Sequence, residues 1–328
     1  MLQLKNLTPF EADVAVFPDE NGEDALFAMV KATFNVGKEW TLADEQEPLV
    51  QVDEYWGDSA TSSLKASSDY HIGKSATDVL IMGHACAPNY EPVEQLDVTI
   101  QIGSLQNTLR VFGNRAWQNE RITHPQQFKK MPMVYERAYG GSVLENGEQV
   151  ASEAYNPAGI GFKQEREYLE GLPLPNIENP SQLISSQNDS PVPVGTAPTA
   201  PFWQNRAAFC GTYDDAWQTE RAPFLPEDFN KRFLNCAPPN FIYDGFLQGG
   251  ESVYINNMHE RGPLNFVIPA VKLNAKIQLG EQLHTSGFEL ETLTLRPNEL
   301  KATMVWRAKY SPPLSAQQID EIRVSMSR

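Results

Sequence analysis

The sequence predicts a mainly β protein: antiparallel sheets in two sandwich-like lobes, a long loop-rich, proline-rich middle segment and few short helices. Three observations carry this reading. Apolar and polar residues alternate with a period of two toward both ends of the chain, the pattern of half-buried strands. Of the 24 prolines, 12 fall between Pro157 and Pro239, a stretch that also holds the polar tract Ser181 to Ser190, so long loops are expected there. The 328 residues are 41% hydrophobic and 10% aromatic, enough for a substantial core in one large or two ordinary domains. The corresponding parts are 1–130, β-rich; 131–240, loop-rich with Pro and Gly; and 241–328, antiparallel β with a short terminal helix. One continuous domain is the alternative.

The elements follow in order. Residues 25–36 (ALFAMVKATFNV) are apolar and β-favouring and follow the turn signal Asp19-Glu-Asn-Gly22, which reads as a buried strand. Val79 to Ala87 is a second run of strand length. Leu96 to Ile102 alternates, Gly103 to Gln106 turns, and Asn107 to Phe112 returns as the other half of a hairpin. In the middle, Glu165 to Leu169 and Asp214 to Thr219 carry short helix signals. Val271 to Leu279 alternates again, with Phe288 to Leu295 and Leu300 to Ala308 as its partner hairpin, joined by a turn in which Pro297 pre-sets φ. A helix is expected from about Ser315, where Gln318 completes a weak capping box.

Charge narrows the function. With 26 Lys and Arg against 42 Asp and Glu, the net charge is -16, which repels nucleic acid in the absence of a basic stripe. Residues 1–58 alone hold 13 acids and 3 bases, whereas residues 259–328 hold 7 and 9. The N-terminus lacks a basic head followed by an apolar run, and no stretch approaches the ~20 apolar residues of a membrane span. A cytoplasmic protein with no membrane association is expected. Three scattered cysteines, Cys86, Cys210 and Cys236, read as small buried residues and not as disulfides.

Catalytic motifs are incomplete. Gly73-Lys74-Ser75 has the tail of a phosphate loop without its first glycine, and Gly159-Ile-Gly161 has part of a dinucleotide fingerprint without the preceding strand. His84 and Cys86 share a strand face, but no other histidine has ligand spacing, so neither a metal nor a cofactor is expected. Carboxylates and rings do sit together twice, Asp53, Glu54 and Asp58 around Trp56, and Asp214, Asp215 and Glu220 around Trp217. That pairing keeps a carbohydrate-binding or carbohydrate-hydrolysing protein as an alternative. The middle loops repeatedly carry Tyr, Trp and Arg, the types that dominate interface hot spots; Arg137, Tyr139, Trp203, Arg206, Tyr213 and Trp217 are the candidate partner-binding residues.

Twelve strings occur in order along residues 4–310, among them NLTPF (6–10), MVKATFNV (29–36), DEYWGD (53–58), TDVLIMGHACAP (77–88), MPMVYERAYGG (131–141), NPAGIGF (156–162), GTYDDAWQ (211–218) and LPEDFNKRFLNCAPP (225–239). By these strings the chain resembles the domain-of-unknown-function family numbered 2169. One departure is Asn205 before Arg206, where the resemblance leads one to expect proline. The resemblance implies a non-enzymatic adaptor, or effector chaperone, of bacterial type VI secretion. Such a protein binds an effector, often one with a PAAR-type tip domain, and helps load it onto the spike protein, acting as a monomer or small homo-oligomer. A structural component of a contractile injection apparatus is the second alternative.

Overall fold

A computed structural model of the chain describes residues 2–146, 148–163, 169–312 and 318–327. The fold is mainly β, with three sheets forming its frame. The central sheet runs in the order Glu11–Pro18, Asp24–Asn35, Lys301–Tyr310, Glu289–Arg296, Asp78–Ile81, with Thr41–Leu42 paired beside Asp24–Asn35. Strands from both ends of the chain thus lie side by side: Thr33 pairs with Thr303 and Lys31 with Val305. The buried strand expected at 25–36 lies between two neighbours in this sheet, and every residue from Ala25 to Phe34 is buried.

A second sheet contains the expected hairpin, Gln95–Ile102 and Leu105–Phe112, in register from Ile102↔Leu105 to Gln95↔Phe112, flanked by Ile177–Glu178 and by Ser252–Asn256 with Leu264–Val267. The third sheet joins the termini: Gln3–Asn6 lies parallel to Ile319–Met326, followed by Leu273–Leu279 and Gln282–Gly287. Both smaller sheets pack on one face of the central sheet. Val30, Ala32 and Phe34 share a cluster with Val98, Ile100 and Val111, while Leu26 and Ala28 share one with Ala275, Ile277 and Ile322. Period-two alternation explains this division, because even-numbered residues of Asp24–Asn35 all leave the sheet on the same side.

Two expectations change. The C-terminal segment from Ile319 is a strand and not a helix; Ile319, Ile322 and Val324 are buried against Leu273–Leu279, and β-pairing there outweighs the capping signal, whose Ser315 lies outside the described residues. Leu273–Leu279 pairs with Gln282–Gly287, while the hairpin of Glu289–Arg296 and Lys301–Tyr310 belongs to the central sheet. The helix signal at Glu165 to Leu169 falls mostly outside the described residues. The short helix Asp215–Glu220 is present, N-capped by Asp214.

Candidate functional site

The opposite face of the central sheet is apolar at Ala25 and Phe27, which cluster with Ile72, and mixes polar with apolar residues farther along the strands. Across it run the rows Lys31, Val305, Thr292, Asp78 and Thr33, Thr303, Thr294, Leu80. Residues 47–69 cross above them, leaving a cavity of about 850 Å³. Lys31, Lys74, Thr294 and Arg296 line its floor; Leu80, Met82, Met133 and Val305 form an apolar wall; Trp56, half exposed, stands in its lining with Glu54 and Lys65.

Charge inside this layer is paired. Lys74 Nζ donates to Asp78 Oδ2 at 2.7 Å and to Thr292 Oγ1 at 2.7 Å, and Asp78 also accepts from Cys236 N at 2.8 Å and Asn235 Nδ2 at 3.0 Å. Burial pulls the Lys74 ammonium down, but the adjoining Asp78 carboxylate outweighs it and leaves Lys74 above its ordinary value. Burial pushes the Cys236 thiol up to about 12, which favours its neutral form. Arg307 Nε donates to Glu291 Oε2 at 2.7 Å, and Lys31 Nζ lies 3.3 Å from Asp69 Oδ2. His71 lies against Arg307 at 3.2 Å, and burial first, then Arg307 and Lys74, holds its imidazole well below the usual range.

The glycine motifs therefore have structural roles. Lys74 of Gly73-Lys74-Ser75 is engaged by Asp78. A Cβ at Gly159 would come within 2.4 Å of Asn156 Nδ2, so that loop is glycine-shaped for packing. Cys86 is buried and accepts from Asn298 Nδ2 at 3.2 Å. Among the described residues no group of three His, Cys, Asp or Glu is arranged to hold a metal, and no helix is long and apolar enough to cross a membrane.

The six loop residues divide. Trp203 is 1% exposed and meets Tyr135 edge-on at 4.9 Å. Arg206 is 4% exposed; its Nε donates to Phe233 O at 2.9 Å and its Nη1 to Thr199 O at 2.8 Å. Tyr139 is buried beside Trp117 and Leu174. These three are corrected from partner contacts to scaffold, because loops without ladder bonds need buried rings and fork donors to hold their carbonyls. Arg137 is half-buried and lines a separate cleft.

Tyr213, exposed, and Trp217, half-buried, form a ledge at the surface. Their rings meet edge-on at 4.7 Å, and Tyr213 is 53% exposed. Asp214 Oδ1 accepts from Trp217 N at 2.9 Å, Trp217 Nε1 donates to Phe224 O at 2.8 Å, and Arg221 Nη2 donates to Glu20 O at 2.9 Å. Short bonds thus fix two rings at the surface. Asp214 is a helix cap and Asp53 accepts from Ser68 N at 2.8 Å, so of the carboxylates considered for hydrolysis only Glu54 lines the cavity.

The cavity floor was not among the sequence candidates. Its signal was present, since Lys31 and Thr33 interrupt an apolar run, and Thr292 and Thr294 alternate with Leu293 and Leu295. No curated protein and no solved structure matches the chain. A family model does match, over residues 21–307, and by it this chain belongs to the family described as uncharacterised protein conserved in bacteria, domain of unknown function 2169.

Proposed function

We propose that the protein is a non-enzymatic, cytoplasmic adaptor that binds a type VI secretion effector, often one bearing a PAAR-type tip domain, and helps load it onto the spike. The observation that carries this reading is the ledge: two aromatic rings held half in water by a helix cap and an indole hydrogen bond. Pre-ordered aromatic residues of this kind lose little entropy on docking and supply most of an interface's affinity. The acidic N-terminal segment, 13 acids to 3 bases over residues 1–58, steers a basic partner.

Affinity co-purification of the tagged chain from its own host, followed by mass spectrometry, tests the proposal. An effector or spike protein is recovered with the parent chain and is lost from the Tyr213→Ala, Trp217→Ala double variant. Recovery of neither, from cells expressing the secretion machinery, overturns it. A specific observation favours a second reading as carbohydrate-binding protein, namely a ligand-sized cavity with Trp56, Glu54 and Glu47 in its lining; a glycan screen decides that reading. A structural component of an injection apparatus predicts large homo-oligomers by light scattering, whereas the adaptor is a monomer or small oligomer that gains mass only with cargo.

A further inference from the structure

Arg137 lines a cleft of about 530 Å³ that lies apart from the cavity lining and the ledge. Asn114, Arg115, His124, Gln126 and Asn176 supply its other polar groups, and Ile160, Pro173 and Leu174 an apolar wall. Among the described residues no acidic residue lines it, although the chain carries a net charge of -16. Two acids near it are paired: Glu178 with Arg115 in the interior, and Glu94, whose Oε1 lies 3.5 Å from His124 Nδ1 at the exposed rim.

Arg137, like the carbonyl-bound Arg206, has no carboxylate partner among the described residues, but unlike Arg206 it lines a cleft. Arg115, Lys31, Lys74 and Arg307 each face a carboxylate. Its Nη1 donates to Asn114 Oδ1 at 3.3 Å and Asn176 Oδ1 at 3.1 Å. Asn176 is itself fixed, donating from its main chain to Arg137 O at 2.8 Å and from Nδ2 to Phe112 O at 3.1 Å. The guanidinium is thus positioned at the end of the short 3-10 turn Tyr135–Arg137, and its Nε and Nη2 have no protein acceptor among the described residues. A planar pair of donors beside neutral amides matches a carboxylate, which accepts two parallel bonds from such a fork.

We propose that this cleft binds the free C-terminal carboxylate of an extended peptide segment in a protein partner. Arg137 takes the two carboxylate oxygens, and Ile160, Pro173 and Leu174 receive the side chain of the last residue. A main-chain carboxylate is the source that fits, because its own residue's side chain lies directly beside it, as the apolar wall lies beside Arg137. The identity of the partner as secretion cargo rests on the adaptor reading; the carboxylate chemistry does not.

Calorimetric titration of the full-length chain at low salt tests this with three probes: acetyl-Ala-Ala-Leu as free acid, the same peptide as C-terminal amide, and an amidated peptide with an internal glutamate. The free acid binds, and the other two bind at least tenfold more weakly. Arg137→Gln loses at least tenfold in affinity for the free acid, and Arg137→Lys recovers part of it. Equal binding of acid and amide, tight binding of the internal glutamate, no binding of the acid, or an unchanged affinity in a folded Arg137→Gln overturns the proposal. The acid and amide comparison needs no variant, so it decides even if Arg137→Gln fails to fold. Cargo recovery in the ledge experiment is read separately, so either proposal can fail alone.

Discussion

Residues 196–209 and 211–225 are adjacent loops made from the same residue types, and they end in opposite places. In the first, Thr196 bonds to Ile81 at the edge of the central sheet, Trp203 reaches the main core and Arg206 binds two carbonyls in the interior. In the second, Trp217 and Tyr213 pair with each other at the surface, and the polar bonds run within the loop, to Asp228 just beyond it or to the turn at Glu20. What separates them is the neighbour each has to cover. The first loop closes the end of a sheet, where apolar burial and unpaired carbonyls demand a large ring and a fork donor. The second lies outside that layer, so its rings remain available to a partner.

Substitutions break this contrast in a defined order. Trp203→Ala removes a fully buried ring and is expected to cost about 3–5 kcal/mol, read by urea unfolding. Arg206→Met keeps the packing but leaves the carbonyls of Thr199 and Phe233 without donors, a loss of about 1–3 kcal/mol in the same assay. A stability loss below about 0.5 kcal/mol in either variant removes the distinction between scaffold and ledge.

Protonation sharpens the same contrast. The folded-state pKa of His71 lies well below the 6.5 of an unfolded imidazole, so the unfolded chain takes up a proton that the folded chain refuses. The contribution of His71 to stability is therefore complete above pH 6.5 and falls as the pH drops below it. His71→Asn keeps an acceptor for Gly73 N, bonded at 3.1 Å in the parent, and is expected to flatten the acid limb of stability against pH. An unchanged acid limb means that other groups set it.

The smallest stability effect belongs to the ledge. Tyr213→Ala with Trp217→Ala is expected to stay within about 1 kcal/mol of the parent in unfolding. The same pair is expected to weaken cargo binding at least about tenfold. Full retention of cargo by the folded variant ends the ledge's part in the adaptor reading.

The amino-acid sequence by itself determined the fold class and much of its punctuation. Alternation placed the hairpin of Leu96 to Phe112, and the apolar, β-favouring run placed the buried strand at Ala25 to Val36, because side-chain period and burial are local properties of a strand. It also placed the glycine-shaped loop at Gly159 and the short helix signal at Asp214 to Thr219, each made by neighbours in sequence. Tertiary structure decided the rest. Pairing of Ile319–Met326 with Leu273–Leu279 made a strand of a segment with a helix signal, and the joining of residues 24–35 to 301–310 brought Lys31 and Thr33 onto one floor with Thr303 and Thr292. Which of Trp203 and Trp217 is fully buried, and whether an arginine meets a carboxylate or a carbonyl, is decided by the assembled fold. Local pattern fixes the direction a side chain takes from its own strand or loop; only the assembled fold fixes what it meets.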